Sequence, residues 1–115
     1  MRGEGQNMTE KQLADLRQRL ESTPDIEETA DLMNLAGNST RLKLLFQLSE
    51  LNELCVCDLA EMLGVSVSAV SQHLSKLKAY GLVAPRRDAQ TIYYRLTDHA
   101  FNKKLRENFF KQFQV

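Results

Sequence analysis

The residues best suited to chemistry in this 115-residue chain are two cysteines in the string Glu53-Leu-Cys55-Val-Cys57-Asp-Leu-Ala60. A disulfide between such close neighbours is strained, and cytosolic thiols are kept reduced. The pair therefore reads as a metal-binding or reactive site. Thiolates are soft donors, so a thiophilic ion is the expected ligand. The spacing sets a condition. Residues two apart on an α-helix point about 200° away from each other, and both cannot grip one ion there. Chelation requires that Cys55 precede a helix, or that the first turn unwind. A helix beginning at Leu54-Cys55 would also lower the thiol pKa and favour the thiolate. The bland alternative is a pair of small buried hydrophobes, a common fate of free cysteine.

A second set of candidates lies downstream. Helical spacing over residues 67–80 puts Val67, Val70, Leu74 and Leu77 on one side and Ser68, Gln72, Ser75 and Lys76 on the other, with Ser71 on the flank. Glutamine can bind adenine through two hydrogen bonds, and serine can meet several base edges. Ser66 suits the N-cap, where it and the helix N-terminus can hold a phosphate. His73 stands between the two sides and reads either as a packed histidine or as a DNA contact. A solvated helix face is the plain alternative for this pattern. The segment that follows shifts the balance, because it carries Arg86, Arg87 and Arg95 against the single acid Asp88. Arg86 and Arg87 are expected at the DNA backbone or minor groove. Tyr93 and Tyr94 alternate faces, so one packs inward while the other is free to touch the backbone.

Charge distribution supports that reading although the net charge is zero. Residues 1–65 carry six Lys and Arg against twelve Asp and Glu, whereas residues 66–95 carry five against one. A basic segment confined to one part of a neutral fold can form a phosphate-binding face. The length fits one domain, and 43% hydrophobic residues allow a modest core. No apolar run is long enough to span a bilayer, and the polar start Met1-Arg-Gly-Glu-Gly-Gln-Asn7 lacks a secretory h-region, so a cytoplasmic location is expected. Enzymatic function is not expected: there is no carboxylate pair in a likely cleft, no nucleophile with an evident base and no Gly-rich phosphate loop.

The elements that must position these residues follow from periodicity and punctuation. Residues 1–8 are expected to be flexible, and 9–113 to form a single domain. Thr9-Glu-Lys-Gln12 reads as a capping box for a helix over 10–22 carrying Leu13, Leu16 and Leu20. A second helix runs from Ile26 to Ala36, with Ile26, Ala30, Met33 and Leu35 apolar, and stops at Gly37-Asn38. Ser39 or Thr40 caps a third, which buries Leu42, Leu45, Phe46 and Leu48. Leu59, Met62 and Leu63 belong to a short helix that Gly64 ends in a left-handed cap. Helix 67–80 follows and Gly81 closes it, giving a helix-turn-helix. Leu82–Arg87 and Thr91–Leu96 are β-prone runs that read as a hairpin, with Pro85 marking an edge strand. The last segment, 98–113, is helical from an Asp98 cap, with Phe101, Leu105, Phe109 and Phe113 on one stripe. The fold class is thus mainly α with a β-hairpin wing, a winged helix-turn-helix. The phenylalanine stripe exceeds what one small core needs, which suits pairing with a second copy.

Several strings resemble the ArsR/SmtB family of bacterial metal-sensing repressors: Leu35-Ala-Gly-Asn-Ser-Thr-Arg-Leu-Lys-Leu-Leu45, Glu53-Leu-Cys-Val-Cys-Asp-Leu-Ala60, Val70-Ser-Gln-His-Leu74, Gly81-Leu-Val83 and Tyr93-Tyr-Arg-Leu96. The resemblance covers about residues 26–113. It implies a homodimer paired through the first and last helices, binding to double-stranded operator DNA with inverted repeats, and release when a metal ion binds. The leucines at 13–20 and the phenylalanines at 101–113 fit that interface. Two copies would set their recognition helices roughly 34 Å apart, one DNA turn. The chain departs from the family in two places. Some arsenic-responsive relatives place a third cysteine where this chain has Ala60, and cadmium- and lead-responsive relatives add N-terminal cysteines, whereas residues 1–54 contain neither Cys nor His. Asp58, an acidic group of a partner, water or a small thiol could complete the site. The zinc site that some relatives carry on the last helix is expected to be absent. Asp98 is present, but the other positions read Ala100, Lys111 and Gln114, and His99 is one residue out of place, which suits a surface or capping role. No catalytic cofactor is implied, only an inducer ion held by Cys55 and Cys57: arsenite or antimonite first, then cadmium, lead, mercury and zinc. A redox or persulfide switch on the same cysteines, and a winged helix that binds a protein instead of DNA, are the alternatives.

Overall fold

The computed structural model describes residues 7–23 and 25–113, and the chain divides into two compact units after Ala30. Most of the expected flexible segment 1–8 lies outside the described residues. In the first unit, helix α1 (Glu10–Ser22) starts at the expected capping box. Thr9 Oγ1 accepts from the Gln12 amide at 3.1 Å, and Gln12 Oε1 accepts from the Thr9 amide at 2.9 Å. This helix buries no residue, and Leu13, Leu16 and Leu20 are all exposed. Helix α2 (Ile26–Ala36) spans the division between the units.

The second unit holds the core. The end of α2 supplies Leu32, Leu35 and Ala36; α3 (Ser39–Glu50) supplies Leu44, Leu45 and Leu48; α4 (Val56–Leu63) supplies Val56, Leu59 and Ala60; and α5 (Val67–Ala79) supplies Val70, Leu74 and Leu77. Leu44, Leu45, Leu59, Val70, Leu74, Leu77 and Leu82 are fully buried, and each such side chain contributes about 1.5–3 kcal/mol through burial. Gly64 ends α4 at φ 66° and Gly81 follows α5 at φ 76°, both in the left-handed region that glycine enters without penalty. The helix-turn-helix therefore lies between α4 and α5, as its punctuation indicates.

The wing is larger than a hairpin. Strands β2 (Val83–Asp88) and β3 (Thr91–Leu96) pair antiparallel, and a two-residue strand β1 (Leu54–Cys55) adds to the far side of β3, giving the order β1-β3-β2. Pro85 lies on the edge strand β2, where its missing N–H costs no ladder bond. The register sets Leu54 opposite Tyr94 and Cys55 opposite Tyr93.

Several expectations need correction. In α2, Ile26 and Met33 are exposed while Leu32 is buried, so the buried stripe lies one residue before Met33. Asn38, not Ser39 or Thr40, caps α3, its Oδ1 accepting from the Arg41 amide at 3.1 Å. Val67 and Met62 are exposed. The last helix, α6, covers only Ala100–Asn108, and a 3₁₀ turn follows over Phe110–Phe113. Its cap is His99 rather than Asp98, with Nδ1 accepting from the Phe101 amide at 3.0 Å. The tighter 3₁₀ turn breaks the phenylalanine stripe. Phe110 enters the core and meets Phe46 edge-on at 5.3 Å between centroids, while Phe109 and Phe113 stay exposed. Asn102 ties α6 to the sheet side by donating to the carbonyl of Leu82 at 2.8 Å.

Candidate functional site

The short strand β1 decides the geometry of the two cysteines. Pairing with β3 holds Cys55 extended (φ −77°, ψ 155°), and α4 begins only at Val56. Cys55 is thus the N-cap, and Cys57 lies in the first turn. The condition set by the Cys-x-Cys spacing is met without unwinding. The two sulfurs and a carboxylate oxygen of Asp58 all lie within 4.8 Å of one another. Cys55 is buried, Cys57 and Asp58 are exposed, and both cysteines are free thiols. Two soft sulfurs with one oxygen suit a thiophilic ion.

The expected lowering of the thiol pKa does not hold for Cys55. A hydrogen bond with the Cys57 side chain, followed by burial, pushes this thiol above its ordinary value. The Asp58 amide, which donates to Cys55 Sγ at 3.2 Å, pulls the other way but does not prevail. Cys55 is a protonated thiol near neutral pH and must release its proton to bind an ion.

The polar side of α5 is arranged as expected. Ser66 caps the helix, its Oγ accepting from the Ala69 amide at 3.1 Å. Ser68, Gln72 and Lys76 are exposed, and Ser71 and His73 are half-buried. His73 has a partner that the sequence does not suggest. Arg41 of α3 hydrogen-bonds the carbonyl of Leu35 through Nε at 2.6 Å and reaches His73 Nδ1 through Nη1 at 3.3 Å. Burial, then the charges of Arg41 and Lys76, push the His73 pKa down. The imidazole is therefore neutral. Arginine is always a donor, so Nδ1 accepts and the ring proton resides on Nε2.

In the wing, strand alternation separates the two arginines. Arg86 lies opposite Tyr93 and Arg87 opposite Ile92, so they occupy different faces. Arg87 is exposed. The Arg86 guanidinium makes two hydrogen bonds to Glu53, at 3.0 and 2.7 Å, and sits 4.8 Å from the centroid of the Tyr93 ring. Tyr94 is the buried tyrosine of the pair. Glu53 and Arg41 have no assigned role in the sequence reading. Their partners lie 33 and 32 residues away, beyond the reach of local periodicity.

A cavity of about 240 Å³ joins these parts. Cys57 lines it together with Val67 and Ser71 of α5 and Gln90, Thr91 and Ile92 at the tip of the wing. Cys57 therefore shares this cavity with the flank of α5 and the turn between β2 and β3.

Comparison with known proteins agrees with this arrangement. The model of the bacterial regulatory protein family arsR matches residues 38–84. The nodulation protein NolR of Rhizobium meliloti is 46% identical over 85 residues, which are 74% of this chain and 69% of NolR. The arsenical resistance operon repressor of Escherichia coli K12 is 41% identical over 68 residues, 59% of this chain and 58% of the repressor. Among solved structures, the AntR antimony-specific transcriptional repressor superposes with a TM-score of 0.66 at 31% identity, over 75% of this chain and 77% of AntR. With its helix-turn-helix and three-stranded wing, this chain belongs to the ArsR/SmtB family of bacterial regulatory proteins and is a DNA-binding winged-helix transcription regulator, not an enzyme.

Proposed function

We propose that this protein represses transcription by binding operator DNA as a homodimer, and that it lets go when a thiophilic ion is held by Cys55 and Cys57. One observation carries the reading: two sulfurs and the Asp58 carboxylate gather within 4.8 Å at the start of α4, and Cys57 opens onto the cavity shared by α5 and the wing. The donor set favours arsenite or antimonite first, then cadmium, lead and zinc. Resistance to arsenical compounds and antimony specificity in two similar proteins support that order. Asp58 supplies the third ligand in place of the sulfur that Ala60 cannot provide.

Each residue has a distinct task. Cys55 and Cys57 give up protons and fix the ion, whose part is to add charge and to clamp the β1–α4 junction. Because Cys57 shares its cavity with Ser71 and Gln90–Ile92, occupation of the thiol site acts directly on the spacing between recognition helix and wing. Ser68, Ser71, Gln72 and His73 meet base edges, with His73 offering Nε2–H as a donor. Ser66 with its helix N-terminus, Lys76, Arg86 and Arg87 meet phosphates. In the first unit the exposed Leu13, Leu16 and Leu20 of α1, and separately in the second the exposed Phe109 and Phe113 after α6, are apolar side chains offered to a second copy.

The test is operator release. Reduced protein on DNA from its own promoter is titrated with arsenite, antimonite, cadmium, lead and zinc, alongside the Cys55→Ser/Cys57→Ser variant. Release of the wild type by at least one ion, with none from the variant, is the expected result. Release of both alike would end the proposal. Release only by peroxide or polysulfide, with the matching mass shift on the cysteines, would replace ion sensing by a redox switch. Sedimentation equilibrium of the same protein tests the dimer.

A further inference from the structure

We infer that Glu53 is an internal competitor for DNA at the wing: its carboxylate occupies Arg86 when DNA is absent, and a backbone phosphate must displace it for Arg86 to contribute to binding. The inference rests on the DNA-binding reading of the wing and adds a residue that opposes it.

Sheet register builds the contact. Cys55 pairs with Tyr93, and Tyr93 pairs with Arg86 on the other side of β3. Alternation along β1 and its approach puts Glu53 on the same face as Cys55, so Glu53, Tyr93 and Arg86 come together. The guanidinium then has an aromatic ring 4.8 Å away at the centroid and two carboxylate oxygens at 3.0 and 2.7 Å. A carboxylate and a phosphate present the same acceptor geometry to the arginine fork, two oxygens side by side. The fork cannot serve both fully.

The pair is also built to be exchanged. The Arg86 side chain is 49% exposed and that of Glu53 27% exposed, so solvent reaches both. Exposed ion pairs are weakly held, and a polyanion can take one apart. Glu53 remains an anion throughout the neutral range, because the hydrogen bond from Arg86, with the charges of Arg86 and Arg95 behind it, holds its carboxyl below the usual range. Arg87 on the opposite face is exposed and lies outside this contact. The two adjacent arginines are thus unequal: Arg87 is available to phosphate at once, and Arg86 only in exchange for Glu53.

The experiment measures binding to a fluorescein-labelled duplex of random sequence across a series of NaCl concentrations, for wild type, Glu53→Gln, Arg86→Ala and the double variant. Phosphate contacts are sequence-independent, so no operator is required. Glu53→Gln is expected to bind more tightly than wild type. The slope of its plot of log K against log salt should stay close to that of wild type, because in both proteins Arg86 ends on the same phosphate and only the cost of displacing Glu53 is gone. In the Arg86→Ala background, the Glu53 substitution should change neither value. An unchanged affinity in Glu53→Gln would overturn the inference, and so would a slope steeper by about 0.9, since that would mean wild-type Arg86 never leaves Glu53. So would an equal gain in the Arg86→Ala background, since that gain would come from net charge alone. Glu53→Ala, expected to match Glu53→Gln, separates loss of the charge from any new contact of the amide. Salt-dependent binding by the wild type upholds the DNA reading whatever Glu53 does, whereas its absence overturns both.

Discussion

The two helices of the helix-turn-helix begin with nearly the same backbone and use it for different chemistry. Cys55 caps α4 at φ −77° and ψ 155°, and Ser66 caps α5 at φ −71° and ψ 154°. In each, the side chain accepts from the amide three residues on, at 3.2 Å for sulfur and 3.1 Å for oxygen. The surroundings differ. Cys55 is buried, and β3 covers the strand it belongs to, whereas Ser66 is exposed. Sulfur is the weaker acceptor. At α4, one atom both caps the helix and waits for a soft ion. At α5, a strong cap orders the helix and leaves its N-terminus open to a phosphate. The lesson is that a capping position pre-orients whatever donor it holds, so a sensing site can be made by changing the cap atom alone.

The largest effect expected from breaking this comparison is on ion response. In Cys55→Ser/Cys57→Ser, release of operator DNA by the inducing ion should vanish outright. Serine is a preferred N-cap, so α4 keeps its cap and the unfolding free energy should stay within about 1 kcal/mol of wild type. Denaturant unfolding beside the release assay checks both halves. Next is the joint between the helices. Gly64→Ala forces a Cβ into the left-handed region at φ 66°, where the site itself offers open space. The cost should be about 1–2 kcal/mol, all of it backbone strain, read as a lower midpoint in urea. Ser66→Ala should cost about 1 kcal/mol by removing the stronger cap. Cys55→Gly, which keeps the cap backbone but loses the weaker acceptor, should cost less through the cap itself. A larger cap loss at α4 than at α5 would contradict the ranking of sulfur and oxygen.

The smallest effect is on pH dependence. His73 has its pKa lowered in the folded state, by burial and then by Arg41 and Lys76. For such a base the stabilisation is complete above its ordinary value of about 6.5 and is lost as pH falls through the lower folded value. Wild type should therefore lose more stability between neutral and mildly acidic buffer than His73→Gln does, measured by urea unfolding at both pH values. Arg41→Ala should move the His73 titration upward in NMR, because one of its two opposing charges is gone.

Much of this architecture was legible along the chain because its signals are local. Thr9 and Gln12, Gly64, Ser66 and Gly81 act within one helical turn, and each does in the structure what its residue type dictates. The stripe of Val70, Leu74 and Leu77 is buried as spacing requires. The misses have two causes, one non-local and one local. Strand β1 is two residues long and too short to show a period, and it exists only because β3, nearly forty residues on, offers its free edge. The phenylalanine stripe is only partly kept: the backbone tightens after Asn108 and brings Phe110 into the core against Phe46, while Phe109 and Phe113 stay exposed.

The thiol site divides in the same way. Sequence alone determined the donors, their spacing and the rule that both cannot ligate from within one helix. It could not decide whether Cys55 falls inside α4 or before it, because the helix start is set by a cross-strand partner. Tertiary structure settled that by pairing Cys55 with Tyr93. The expected pKa shift is reversed first by a local contact, the hydrogen bond with Cys57, and then by burial, which together outweigh the amide at the helix start. The pairing of Glu53 with Arg86 belongs to the same class as that of Cys55 with Tyr93. Residue types and spacing fix what a side chain can do, and the non-local contacts of the fold fix which partner it does it with.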